Sequence, residues 1–323
     1  MGAQPLHEGF GGLLLDLDGV VRRGRAAVPG AREALTALQA ADAHVAFVTN
    51  NALLGADEVA ASLLALDLPV HADQVVTSPQ ALARLLESTG PRRVLVVGGR
   101  GLRSVLEAAG HHIVDSADDS PDLVAQGYSP DVGWPQLAEA TLAIRAGAQW
   151  YATNPDPTLP TERGLVPGNG ALVAAVRTAT GREPIVAGKP ETPIFRLAAA
   201  RLGSERVLVI GDRLDTDVRG ANAAGYASAL VLTGAHGIVD LVAAPEADRP
   251  RFVLGSLREL LAPYPEVLLT DDAVTVRKAR VRAQAGRLRV VGDRGIDGIR
   301  ALAAAAAAWP DTDATEAIAA LSP

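Results

Sequence analysis

The sequence predicts an α/β fold: a parallel-sheet core, interrupted by a large inserted α/β unit and followed by a small α+β extension. Three observations carry that expectation. Short apolar runs alternate with longer stretches of helical periodicity, as in parallel strands joined by covering helices. The alternation pauses for a second unit of the same kind and then resumes. Beyond residue 265 the pattern changes to a hairpin followed by Ala-rich helices.

The elements follow in order. Residues 12–17 read as the first strand. Pro29 then sits where a helix can begin, and Ala31, Ala34, Leu35 and Leu38 give that helix an apolar stripe. A strand at 44–49 runs into Asn50-Asn51, a helix follows at 57–66, and Val75–Thr77 is a short strand. The inserted unit begins near 80. It has strands at Arg93–Val97, Leu123–Gln126 and 150–153, helices at 102–109, 134–146 and 170–180, and a Pro-rich loop at 154–160. The first pattern resumes with strand 185–187, helix 192–202, strand 206–210, helix 217–224 and strand 228–232. In the tail, stretches 274–284 and 288–291 flank Ala285-Gly286 as a hairpin, and two Ala-rich helices close the chain.

Composition bounds the function. The chain has 323 residues, enough for two domains or one with an insertion. It is 48% hydrophobic but only 3% aromatic, so its core must be built from Ala, Leu and Val. A net charge of −7 argues against nucleic acid or an anionic membrane as partner. With no cysteine, disulfides, thiol catalysis and thiolate metal sites are excluded. Residues 1–10 lack the basic stretch of a signal peptide, and no run nears the ~20 apolar residues of a membrane span. A soluble, cytoplasmic protein is expected.

Four short motifs lie at the carboxyl ends of expected core strands, where ligands bind in open α/β sheets. In the first, Asp16-Leu17-Asp18-Gly19-Val20, strand geometry would put the two carboxylates on one side, ~6.6 Å apart. An acidic strand end facing water and a metal site of glycosyltransferase type compete with a catalytic pair. The second, Thr49-Asn50-Asn51, offers a hydroxyl and backbone amides to phosphate oxygens, or is an ordinary polar turn. The third is Gly188-Lys189-Pro190, with Lys189 a point charge at a helix start that already favours anions. The fourth is Gly211-Asp212-Arg213-Leu214-Asp215-Thr216-Asp217, in which Asp217 could serve only as a helix cap.

If the acids of these motifs met a phosphate dianion in one pocket, each like-charge pair at ~4 Å would cost roughly 4 kcal/mol at an effective dielectric near 20. Lys189 alone cannot offset several such pairs. A hard divalent cation with oxygen ligands can, and Mg²⁺ is the usual choice beside a phosphate.

In this order the four motifs resemble those of the haloacid dehalogenase-like superfamily. The insertion after Asn51, carrying Ala152-Thr153-Asn154-Pro155-Asp156 and Pro167-Gly168-Asn169-Gly170, is similar to its class IIA branch. That branch includes pyridoxal phosphate, phosphoglycolate, nitrophenyl and nucleotide phosphatases. The resemblance covers residues 10–262. It implies a Rossmann-like catalytic core at 1–80 and 185–265, an inserted cap domain at 81–184, and an extension at 266–323.

The resemblance also implies roles. Asp16 would be the nucleophile and Asp18 the general acid/base. Mg²⁺ would be held by the Asp16 carboxylate, the Asp18 carbonyl and Asp212, with Asp217 supporting the metal's waters. Thr49, the Asn50 backbone and Lys189 would bind the transferring phosphoryl group, with Asn51 supporting the loop. Ala52 departs from the hydroxyl residue that many relatives carry there. A departing halide needs no acid, so Asp18 points to a phosphatase rather than a dehalogenase.

From the cap, Asn154, Asp156 and Tyr128 are the residues expected to face the leaving group, unless the Pro-rich loop serves rigidity alone. High Ala and Arg usage and the tail beyond the core resemble mycobacterial members of the branch that act on glycerol 3-phosphate. That ester is therefore the expected substrate, with a nucleotide, a sugar phosphate or phosphoglycolate as alternatives. A non-catalytic phospholigand-binding scaffold is the alternative of another class. Relatives often dimerise through the cap, so a homodimer is expected.

Two further features carry less. Gly98-Gly99-Arg100-Gly101 hints at dinucleotide binding, but it lacks the third glycine and the following acid, so a turn in the cap is expected. Arg277, Lys278, Arg280, Arg282, Arg287, Arg289 and Arg294 could meet nucleic acid or an acidic partner. Without interleaved aromatics, solvated or locally paired hairpin faces are the expectation.

Overall fold

The structure, a computed structural model, describes residues 4–161 and 163–322. It divides into two compact units, one of residues 1–44 and 204–323, the other of 45–203. Among the described residues no helix is long and apolar enough to cross a membrane.

The first unit carries four parallel strands in the order Phe252–Leu254, Ala227–Val231, Val207–Gly211 and Gly12–Leu15. Gly12–Leu15 and Val207–Gly211 are apolar or small throughout and wholly buried, as strands covered on both faces must be. Helix Ala31–Ala40 buries the expected stripe of Ala31, Ala34, Leu35 and Leu38. The first strand is shorter than its apolar run suggested. It ends at Leu15, because the Leu17 carbonyl gathers the amides of Val20, Val21 and Arg22 into a turn.

The tail belongs to this unit. Its four antiparallel strands are Val267–Leu269, Ala273–Val276, Ala279–Gln284 and Arg287–Gly292. Ala285 and Gly286 both have positive φ, which suits a two-residue hairpin loop. The single strand expected at 274–284 is instead two, broken by a turn at Arg277, whose φ is +50°. Helices Ile296–Ala308 and Thr315–Leu321 cover the sheet. Val274, Val276, Val281 and Leu288 pack with Leu302 and Ala305, and Ile238 and Val242 join that cluster. The extension thus shares a core with the parallel-sheet elements.

Arg300 pins this packing. Its guanidinium donates to Asp297 at 2.8 Å, to Glu259 at 2.5 Å and to the Val253 carbonyl at 2.9 Å, and lies over the Tyr264 ring. The basic residues of the tail are largely answered by its own acids: Arg277 pairs with Asp297, Arg280 with Asp272, and Arg287 and Arg289 with Glu316.

In the second unit, parallel strands Val45–Thr49 and Val75–Thr77 pack with helix Thr192–Arg201. A five-stranded, all-parallel sheet runs in the order Ile185–Val186, Gln149–Ala152, Leu123–Gln126, Arg93–Val97 and His112–Val114. Helices Arg100–Ala108, Trp134–Arg145 and Asn169–Thr180 connect these strands. Strand 185–187, expected in the core sheet, joins this one instead, returning after helix Asn169–Thr180 to the edge beside Gln149–Ala152. The Pro-rich loop contains half of a hairpin, Thr158–Thr161 with Gly164–Pro167. Gly99 and Gly101 sit in close packing: a Cβ on Gly101 would stand 2.7 Å from the Leu54 backbone.

Candidate active site

In the first unit, chain ends of parallel strands bring acids from two motifs together. Asp16 follows Leu15 directly, its amide extending the ladder to the Ile210 carbonyl at 2.9 Å. Asp212 follows the neighbouring strand Val207–Gly211. Asp217 lies on a π-helical turn, Leu214–Val218, which precedes helix Arg219–Ala224. One carboxylate oxygen from each of Asp16, Asp212 and Asp217 lies within 4.8 Å of the others. Asp212 and Asp217 are 4% and 2% exposed. Carboxylates gathered this closely and buried are costly unless a cation balances them. The donors are all oxygens, a set that suits a hard divalent ion rather than a soft one.

Asp217 lies inside the turn, and the next helix has Val218 at its N-cap. Asp217 Oδ2 accepts from the Arg213 amide at 3.2 Å, so the carboxylate folds back toward the start of its own turn. Asp215, on the same turn, points elsewhere. Burial opposes ionisation of its carboxyl, but the Arg213 guanidinium, bound at 3.1 and 2.8 Å, holds it below the usual range.

Asp18 is not among the three carboxylates that lie within 4.8 Å of one another. The strand stops at Leu15, so Asp16 and Asp18 both lie beyond it. The Asp18 side chain is exposed and accepts from Arg22 Nε at 3.1 Å. Gly19 makes the bend with φ +86°, and Thr233 Oγ1 donates to its carbonyl at 2.7 Å. The loop after strand Ala227–Val231 also holds Asp212: the Ala235 amide donates to its Oδ2 at 2.7 Å. Sequence reading missed this loop. A polar turn at the end of another parallel strand was the available signal.

In the second unit, Asn50, Asn154, Asp156 and Lys189 form one hydrogen-bonded group, and Thr49 and Asn51 bond to each other on the same turn. Thr49 Oγ1 accepts from the Asn51 amide at 3.1 Å, and Asn51 Oδ1 accepts from the amides of Leu53 and Leu54, both at 3.0 Å. Asn50 is the hub. Its Oδ1 accepts from the Lys189 amide at 2.8 Å, and its Nδ2 donates to the Lys189 carbonyl at 3.1 Å and to Asp156 Oδ2 at 2.9 Å. Its carbonyl accepts from Ser78 Oγ and from Asn154 Nδ2, both at 2.9 Å. Lys189 is 3% exposed.

The Pro-rich loop is therefore tied to the Thr49–Asn51 turn by Asn154 and Asp156. Asn169 secures it from behind, donating to the Asn154 carbonyl at 2.7 Å. Ser78 and Asn169 carried no expectation of a role, although Asn169 lies in the Pro167-Gly168-Asn169-Gly170 stretch that resembles the class IIA branch. Tyr128 is half-buried, just beyond strand Leu123–Gln126.

Comparison with known proteins bears on both units. The family model for haloacid dehalogenase-like hydrolases matches residues 13–112, and a second, HAD-hydrolase-like model matches residues 186–260. The chain is 48% identical over 276 residues to the D-glycerol 3-phosphate phosphatase of Mycobacterium tuberculosis, covering 82% of this chain and 77% of that protein. It is 36% identical over 228 residues to an acid sugar phosphatase of Staphylococcus haemolyticus, covering 70% of this chain and 86% of the relative. Its structure resembles the crystal structure of a glycerol phosphate phosphatase from Mycobacterium tuberculosis in complex with magnesium. The TM-score is 0.87 at 41% identity, over 99% of both chains.

Proposed function

The chain belongs to the haloacid dehalogenase-like hydrolases, and from that premise we propose that it is a Mg²⁺-dependent phosphatase hydrolysing glycerol 3-phosphate through a phospho-aspartate on Asp16. The observation that carries the reading is the meeting of Asp16, Asp212 and Asp217 within 4.8 Å. The same division of labour takes residues 1–80 and 185–265 as catalytic core, 81–184 as cap and 266–323 as extension.

Asp16 and Asp212, with the Asp18 carbonyl, are the residues that would hold Mg²⁺, and Asp217 would orient its waters. When bound, the ion supplies positive charge against the phosphate oxygens and the gathered carboxylates. An Asp16 carboxylate oxygen attacks phosphorus in line, and the P–O bond to the leaving alkoxide breaks. Asp18, protonated, gives its proton to that alkoxide. It then takes a proton from the water that hydrolyses the phospho-aspartate, which releases phosphate and restores both carboxyl groups.

To Thr49, the Asn50 amide and Lys189 we assign the oxygens of the transferring phosphoryl group. Asn51 braces the turn, as its two bonds to Leu53 and Leu54 support. Asn154, Asp156 and Tyr128 are assigned to the leaving-group side. For Asn154 and Asp156, the bonds to Asn50 support an added part in holding the phosphate loop. The reading includes a cytoplasmic protein that acts on a small soluble ester, engages neither nucleic acid nor membrane, and dimerises through the cap.

A panel of phosphate esters with Mg²⁺, scored by released phosphate, tests the substrate. Glycerol 3-phosphate should rank first; a sugar phosphate, nucleotide or phosphoglycolate turned over far faster would replace it.

A further inference from the structure

The π-helical turn Leu214–Val218 opens without a side-chain cap of its own. Amides at a helix start need acceptors from outside the helix. A histidine from another loop supplies one: His236 Nδ1 accepts from the Leu214 amide at 2.8 Å. The His236 amide in turn donates to the Asp212 carbonyl at 3.1 Å. One residue therefore bonds the backbone on both sides of Arg213. Its neighbour Ala235 bonds the Asp212 carboxylate itself at 2.7 Å. From Arg213 the chain reaches Asp217 in both directions, amide to carboxylate at 3.2 Å and carbonyl from amide at 3.1 Å.

We propose that His236 is a positioning residue for the cation site. Because a backbone N–H points at Nδ1, the ring carries its proton on Nε2, and in that tautomer it clips residues 212–214 so that Asp212 and Asp217 both face Asp16. The inference rests on the reading that this cluster holds Mg²⁺. His236 acts through the Leu214 amide and the Asp212 backbone, not on the ester. The requirement is an acceptor at the Nδ1 position. Asparagine meets it, because its Oδ1 reaches about where Nδ1 lies. Phenylalanine fills the space and offers no acceptor, leaving a backbone donor unmet.

The test is calorimetric titration of Mg²⁺ into metal-free protein, without substrate, for wild type, His236→Asn, His236→Phe and His236→Ala. Loss of a partner that orients a metal ligand typically weakens binding about 10- to 100-fold. Phe and Ala should show that loss, and Asn should stay close to wild type. If Ala does not fold, the comparison of Asn with Phe decides. Phe binding as tightly as wild type, or Asn binding as weakly as Phe, would overturn the proposal. Wild type failing to take up Mg²⁺ would instead strike the reading of the carboxylate cluster.

Discussion

Gly234 faces the Asp212 carboxylate so closely that a Cβ on it would overlap Oδ2. Gly19, on the Asp16 side, approaches the same oxygen, and a Cβ there would overlap it as well. Two glycines from different loops therefore leave Asp212 one place to be. Gly234→Ala should displace that carboxylate while leaving the fold intact, because the loop is at the surface end of its strand. A shift of about 1 Å in a catalytic constellation can cost 10²-fold in rate. The measurement is kcat and the Mg²⁺ concentration for half-maximal activity. Wild-type values for both would show that Asp212 is not fixed by this contact.

Asp16→Asn removes the nucleophile and should abolish turnover, whereas Asp18→Asn should slow it by about 10²- to 10⁴-fold, the range for general acid–base catalysis. The two should separate further with a leaving group of low pKa. A nitrophenolate departs without a proton, so Asp18→Asn should recover formation of the phospho-aspartate with nitrophenyl phosphate and still lag in its hydrolysis. A burst of nitrophenolate equal to the enzyme concentration is the expected signature. Unchanged turnover in Asp16→Asn would remove Asp16 as the nucleophile, and no turnover of any ester by the wild type would leave a phospholigand-binding scaffold.

Some of this was legible because the acids sit at strand ends, and an apolar run followed by Asp-x-Asp or Gly-Asp marks such an end in the sequence. The grouping of Asp16, Asp212 and Asp217 follows from the adjacency of strands Gly12–Leu15 and Val207–Gly211. Asp18 was harder to place, since Leu17 is apolar and nothing in the run shows that its carbonyl turns the chain. Pro160 and Pro167 concealed the hairpin Thr158–Thr161 with Gly164–Pro167, because proline demotes a strand assignment although a two-stranded edge tolerates it. The clamp on Asp212 was illegible for another reason. Ala235 contributes only its amide, which every residue but proline has.

The tail should contribute to stability through Arg300, whose side chain is 3% exposed and whose partners Asp297 and Glu259 are 8% and 28% exposed. Breaking a buried pair by removing one member typically costs about 3–5 kcal/mol, because the other charge stays buried. Arg300→Met should lower the denaturation midpoint accordingly. Asp297→Asn in the same chain should recover part of the loss. Additive effects of the two substitutions would mean that the pair is not coupled.

Removal of the metal should act on stability as well as on rate. The three carboxylates repel one another without a cation, so chelated protein should unfold at a lower temperature than the Mg²⁺ form. A ligand at 100 times its Kd stabilises by about 2.7 kcal/mol, and for domains of 150–250 residues each kcal/mol moves Tm by about 2–4 °C. A rise of several degrees on adding Mg²⁺ is expected, together with full loss of activity in excess chelator. Asp217→Asn keeps the bond from its own amide to the Arg213 carbonyl but relieves part of the repulsion. It should therefore raise the Tm of the chelated protein and shrink the gain from Mg²⁺. If the ion stabilised wild type and Asp217→Asn equally, Asp217 would lie outside the electrostatic reach of the site, and its buried carboxylate would need another account.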